Sequence, residues 1–157
     1  MEVSFSLKIR PFSINSMYYA SKKVLTRDAR DWQLSVLSHI KQFGPDLKKF
    51  YDEFDEKKHG IELFLTFHTP NFYTEKGTIS AHSMDLSNVE KPLIDLLFLP
   101  RFHGNSPPHR VQNLNLDDRY IVCLTSKKCY DTDFSVDVLL RLVEQDYSKP
   151  AVVLANP

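Results

Sequence analysis

Asp85-Leu86-Ser87-Asn88-Val89-Glu90-Lys91-Pro92-Leu93-Ile94-Asp95 reads as a short helix set among alternating strands, and that reading decides the fold. Val89, Leu93, Ile94, Leu96 and Leu97 supply its apolar positions. Asn88, Lys91 and Asp95 recur three and four residues apart and so share one face. A helix built for burial gains nothing from an amide, an ammonium and a carboxylate unless they are paired or bind something. Ser87 and Glu90 are spaced for a capping box, and Pro92 removes a backbone donor, which predicts a tightened or irregular start.

On the N-terminal side, Val3, Phe5, Leu7 and Ile9 alternate with polar residues, the pattern of a half-buried strand. Thr26 is placed to cap a helix with apolar positions at Ala29, Trp32, Val36, Ile40 and Phe43. Gly44-Pro45 predicts its end, and Leu47, Phe50 and Phe54 mark a second helix. Ile61, Leu63, Leu65 and Phe67 form a second alternating strand, and a loop from Thr69 to Ser83 leads into the signature helix. Beyond it, residues 100–115 lack apolar periodicity, a length of unstructured connection that is usually functional or disordered. Strands follow at Tyr120–Thr125 and from Phe134 to Leu142. Strands and helices do not alternate regularly, so the expected class is α+β, with a mixed or antiparallel sheet of about four strands packed with helices.

The chain has 157 residues and 42% hydrophobic content, enough for one domain with a real core, expected over 1–145 with a patternless tail at 146–157. Twenty basic and twenty acidic residues cancel, so net charge neither favours nor excludes nucleic acid. Cys123 and Cys129 are too few for a disulfide framework. No stretch approaches a membrane span or reads as a signal peptide, and the expected setting is reducing and cytoplasmic, away from membranes. His103, His109, Cys123 and Cys129 lack the close paired spacing of a zinc site.

The stretch from Asp85 to Asp95, with Asp117-Asp118 ahead of the third strand, resembles the RusA-type family of Holliday junction resolvases. That family carries D-x-D-N-x-x-K-x-x-x-D on a helix, then D-D before a strand. Asp85, Asn88, Lys91 and Asp95 match the first element and Asp117-Asp118 the second. The N-terminal loop Pro11-Phe12-Ser13-Ile14-Asn15-Ser16-Met17-Tyr18-Tyr19 is also similar to the family's. Ser87 stands where the family has its second aspartate, and Met84 where an arginine is often found.

The resemblance implies a magnesium-dependent endodeoxyribonuclease that cleaves four-way or related branched DNA in recombination and repair, with manganese as a possible substitute ion. Asp85, Asp118 and Asp95 are then the metal-binding carboxylates, since hard cations take oxygen ligands. Asp85, Lys91 and Asp118 are the catalytic set, with Lys91 contacting phosphate or its developing charge. Asn88, Asp117 and Ser87 support them. Ordinary alternatives stay open: Asp85 and Asp117 as caps, Asp95 as the salt-bridge partner that orients Lys91, Ser87 as a helix cap. Lys22, Lys23, Arg27 and Arg30 flank Tyr18 and Tyr19, a mixture of cations and rings suited to DNA backbone and unstacked bases. A solvated helix end beside core tyrosines reads equally well there. Asn15 and Tyr18 enter the DNA-binding set through the resemblance, as does a two-fold homodimer. The alternative left by Ser87 is a branched-DNA-binding module with weakened or lost chemistry.

Overall fold

Period-two alternation in the sequence becomes four strands in the computed structural model, which describes residues 1–19, 24–98 and 113–145. They are β1 (Glu2–Leu7), β2 (His59–Thr69), β3 (Ile121–Tyr130) and β4 (Ser135–Glu144). Three helices, α1 (Arg27–Ile40), α2 (Gly44–Glu53) and α3 (Leu86–Leu97), lie between them in the chain. The strand order is β1-β4-β2-β3. β4 runs antiparallel to both β1 and β2, and β2 runs parallel to β3. The protein is therefore the expected α+β domain, and its sheet is mixed.

A parallel pair needs a crossover rather than a hairpin, and the β2-to-β3 crossover is the segment that carries α3. Successive side chains on a strand point to opposite faces. Val3, Phe5 and Leu7, then Ile61, Leu63, Leu65 and Phe67, then Val136, Val138 and Leu140 are buried and form the sheet's share of the core. Val36, Ile40, Leu47, Phe50, Val89, Leu93 and Leu97 from the helices complete it. The opposite face, with Glu62, Phe64, Thr66 and His68 on β2 and Asp137, Leu139 and Arg141 on β4, is only partly covered.

Thr26 caps α1 as expected, its Oγ1 accepting from the Ala29 backbone N–H at 3.1 Å. Gly44 does not terminate a helix. A 3-10 turn at Lys41–Phe43 carries α1 into α2, where Gly44 adopts helical angles (φ −49°, ψ −45°). Pro45 then falls in the first turn, where its missing N–H has no intrahelical acceptor to lose. Phe54 closes α2 with an extended ψ of 127° instead of continuing it. The expected tail at 146–157 lies outside the described residues. Among the described residues, no helix is long and apolar enough to cross a membrane.

Candidate functional site

The site begins at the cap of α3. Asp85 is the N-cap in extended geometry (φ −86°, ψ 119°), and its Oδ1 accepts from the Ser87 backbone N–H at 3.1 Å. The Ser87–Glu90 capping box is thus not formed. Aspartate caps as well as serine, and with Asp85 in the extended conformation Ser87 becomes the second helical residue. Its Oγ donates to Asp85 Oδ1 at 2.8 Å, and Asn88 Nδ2 donates to Asp85 Oδ2 at 3.4 Å. The first turn is tightened as expected, the Asn88 backbone N–H donating to the Asp85 carbonyl three residues back at 3.1 Å. Pro92 lies inside the helix, where it leaves the Asn88 carbonyl without its usual donor four residues on.

One turn further, Lys91 extends from the buried flank of Val89 and Leu93 into a half-exposed position between two carboxylates. Its Nζ is 2.5 Å from Asp95 Oδ1, a salt bridge along the helix, and 2.8 Å from Asp118 Oδ2. Burial is the largest single influence on this ammonium and opposes its charge. The hydrogen bonds and charges of Asp118 and Asp95 outweigh it and hold the pKa above the ordinary 10.5. Asp118 reaches this point from a 3-10 turn, Asp118–Tyr120, that leads directly into β3. Asp117 caps that turn by accepting from the Arg119 N–H at 2.9 Å, the ordinary role open to it. Arg119 and Glu56 clamp the Tyr120 hydroxyl at 2.9 and 2.7 Å, which fixes the turn against the end of α2.

The N-terminal loop meets the same helix. A 3-10 turn at Ile14–Ser16, capped by Ser13, lies against α3 and leaves Asn15 exposed. Tyr18 pairs with Leu25 in an isolated antiparallel bridge, and both Tyr18 and Tyr19 are exposed rather than core residues. Arg27 is exposed at the start of α1, 4.0 Å from Asp31. Lys22 and Lys23 lie outside the described residues, as do Arg101, His103, His109 and Arg110.

Two cations beside Asp85 had no signal in the sequence. A cleft of about 160 Å³ adjoins Asp85 and Asn88, and Arg10, Asn71 and His82 line it. Arg10 is held there by Trp32, whose Nε1 donates to its carbonyl at 2.8 Å, and by Phe134, whose ring centre is 5.0 Å from the guanidinium carbon. Lys128 on β3 donates to the Met84 carbonyl at 2.9 Å, immediately before the cap. Only the tertiary fold brings these groups to the helix start.

The chemistry of the donors suits a hard divalent cation, with three carboxylates and the Asn88 amide nearby. Their arrangement does not. Among the described residues no three His, Cys, Asp or Glu side chains are grouped to hold an ion. Lys91 bridges Asp95 and Asp118, while Asp85 is engaged by Ser87 and Asn88. No family model matches the chain, and no curated protein matches it significantly. The site must speak through its own geometry.

Proposed function

We propose that this protein is a structure-selective endodeoxyribonuclease acting on Holliday junctions or related branched DNA. The observation that carries the reading is the meeting of Lys91 with Asp118, 27 residues apart, on a helix that also abuts the Asn15–Tyr18 loop. A structural ion pair has no need of a polar stripe, a capping carboxylate and exposed tyrosines on adjoining elements.

In this reading Lys91 exchanges one carboxylate for a DNA phosphate, and Arg10 and Lys128 add positive charge at the start of the same helix. Charge-assisted contacts of this kind position the backbone without reading sequence. Exposed Tyr18 and Tyr19 offer rings to bases splayed at a branch point. Magnesium, with manganese as substitute, is the ion the resemblance implies. When bound, such an ion polarises phosphate and activates water. Symmetric cleavage of a four-way junction calls for two sites, hence a two-fold homodimer.

A second reading has its own observation. Ser87 occupies the position of a family carboxylate and is hydrogen-bonded to Asp85, and no three-carboxylate group stands ready. That favours a branched-DNA-binding module whose chemistry is weakened or lost.

One experiment separates the two. The protein is incubated with a synthetic four-way junction, a replication fork and linear duplex, without metal and with magnesium or manganese. Paired nicks in the junction that require the ion support the nuclease. Retarded junction without cleavage under every ion supports the binding module. Equal affinity for linear and branched DNA defeats both.

A further inference from the structure

The partly covered face of the sheet holds a second group of reactive side chains, apart from α3. His68 on β2 is in register with Cys129 on the parallel strand β3, so both side chains rise from the same face. Asp137 on β4 pairs with Thr66, one step diagonally from His68 on that face. The three side chains touch in sequence. Asp137 Oδ2 lies 2.7 Å from His68 Nε2, and His68 Nδ1 lies 3.4 Å from Cys129 Sγ.

An ionised carboxylate only accepts hydrogen bonds, so Nε2 carries a proton and donates it to Asp137. In the neutral ring that leaves the Nδ1 lone pair directed at the thiol. A nucleophile, a base within reach and a third group that orients the base are the parts of an activated thiol. Asp131 Oδ2 also lies 3.4 Å from Nδ1 and favours the imidazolium that forms when the thiol gives up its proton. Other charges face the group as well. Burial pushes the Asp137 carboxyl up, but hydrogen bonds from His68 and Ser6 and the charges of His68 and Lys8 bring it below its usual value. Lys127, two residues from Cys129 on the same face of β3, lines a groove of about 640 Å³ together with Asp137 and Thr66.

We infer that Cys129 is a selectively reactive thiol, a site of exchange with low-molecular-weight disulfides, with His68 as its base and Asp137 as the residue that positions the base. The step balances. The Cys129 proton passes to His68 Nδ1, and the thiolate attacks one sulfur of the disulfide R–S–S–R. A new S–S bond to Cys129 forms as the old one breaks. The departing RS⁻ leaves with the bonding pair and is protonated by the imidazolium or solvent. Cys129 is oxidised to a mixed disulfide, and one half of the reagent is reduced to a thiol.

Cys123 is the internal control. It is a free thiol on the same strand, more exposed than Cys129, and among the described residues it has no hydrogen-bonded imidazole. Exposure alone therefore predicts that Cys123 reacts first, and the inference predicts the reverse. Where thiols are mostly protonated, one with a pKa a unit lower carries about ten times more thiolate of about threefold lower nucleophilicity, a net gain of about threefold.

The test treats the full chain with glutathione disulfide, and separately with iodoacetamide, between pH 5.5 and 8.5 (roughly the range that spans ordinary imidazole and thiol pKa values). Peptide mass mapping reads the two cysteines separately. Cys129 is expected to react at least about threefold faster than Cys123 at the acidic end. Asp137→Asn and His68→Gln should each slow Cys129 toward the Cys123 rate and leave Cys123 unchanged. Asp137→Asn, nearly isosteric and on the exposed side of the sheet, serves if His68→Gln fails to fold. Equal rates and equal pH profiles at the two cysteines overturn the inference, as does a Cys129 rate indifferent to Asp137→Asn.

Discussion

Lys91 Nζ stands 2.8 Å from Asp118 Oδ2, and this one bond joins α3 to the turn that opens β3. It brings together the two acidic segments of the crossover between β2 and β3.

Asp118→Asn should abolish cleavage of a four-way junction while leaving branched-DNA affinity intact or slightly higher, since it removes a negative charge from a phosphate-facing surface. The pair is half-exposed, so the fold should lose no more than about 1 kcal/mol. A gel-shift titration beside a cleavage time course checks both halves. Wild-type turnover would remove Asp118 from the catalytic set.

Ser87→Asp should make stability depend on divalent cations. The substitution places an acidic group in the first turn of α3, which the helix dipole favours, but sets it beside Asp85 with like charge. Magnesium should therefore raise the melting temperature of the variant more than that of the wild type. It should also lower the ion concentration needed for cleavage, or restore cleavage if the wild type has none. An identical magnesium response in the two proteins would mean that another group, Asp95 or Glu90, already fills the role.

The Lys91 ammonium gives an alkaline signature. Its folded pKa is raised, so its stabilising contribution is fully present below the unfolded value near 10.5. As pH rises further, the unfolded chain releases its proton first, and the contribution is lost as pH passes the folded value. Lys91→Gln should thus be less stable than wild type at neutral pH by up to about 1 kcal/mol. Urea melts should show the gap closing only at strongly alkaline pH. A gap that closed near neutrality would point to a different group.

Thr26→Ala should destabilise the protein by about 1 to 2 kcal/mol, through loss of the cap on α1. The hydroxyl also donates to the Ser16 carbonyl at 3.1 Å, so the same change loosens the Asn15–Tyr18 loop. Thr26→Ser keeps both bonds and should recover most of the loss in urea titrations. Junction affinity should follow the same order.

Binding to branched DNA should fall steeply with salt despite the neutral formal charge. Arg27→Ala should flatten the log–log salt slope by about one unit if the guanidinium meets a phosphate. Tyr18→Ala should instead reduce the preference for branched over linear duplex, because stacking needs an unpaired or splayed base. Fluorescence anisotropy at several salt concentrations separates the two effects.

The strands were legible because one buried face imposes a period of two, seen from Ile61 to Phe67 and from Val136 to Leu140. The Thr26 cap was legible because it is local. The cap of α3 stayed open between two residues because Asp85 and Ser87 are both good caps two residues apart. Backbone angles, which composition does not carry, decide between them. The meeting of Lys91 with Asp118 followed from motif spacing and resemblance, whereas Arg10 and Lys128 reach the start of α3 only through tertiary contacts. Cys129, His68 and Asp137 come from three strands, and their alignment depends on registers that no single segment encodes.

The placement of β4 has a consequence for the order in which the protein takes shape. Among the described residues, β1 has no hydrogen-bonded neighbour strand except β4, and β2 joins β1 only through β4. As the chain leaves the ribosome, β1 must wait for β4. Until residues 135–144 emerge, the apolar faces of Phe5 and Leu63 lack the strand that joins them. Pairings this distant in sequence form slowly and leave edges exposed meanwhile. The nascent protein therefore stays vulnerable to aggregation and proteolysis until β4 has been made, and a stop codon anywhere before β4 leaves β1 without its partner strand.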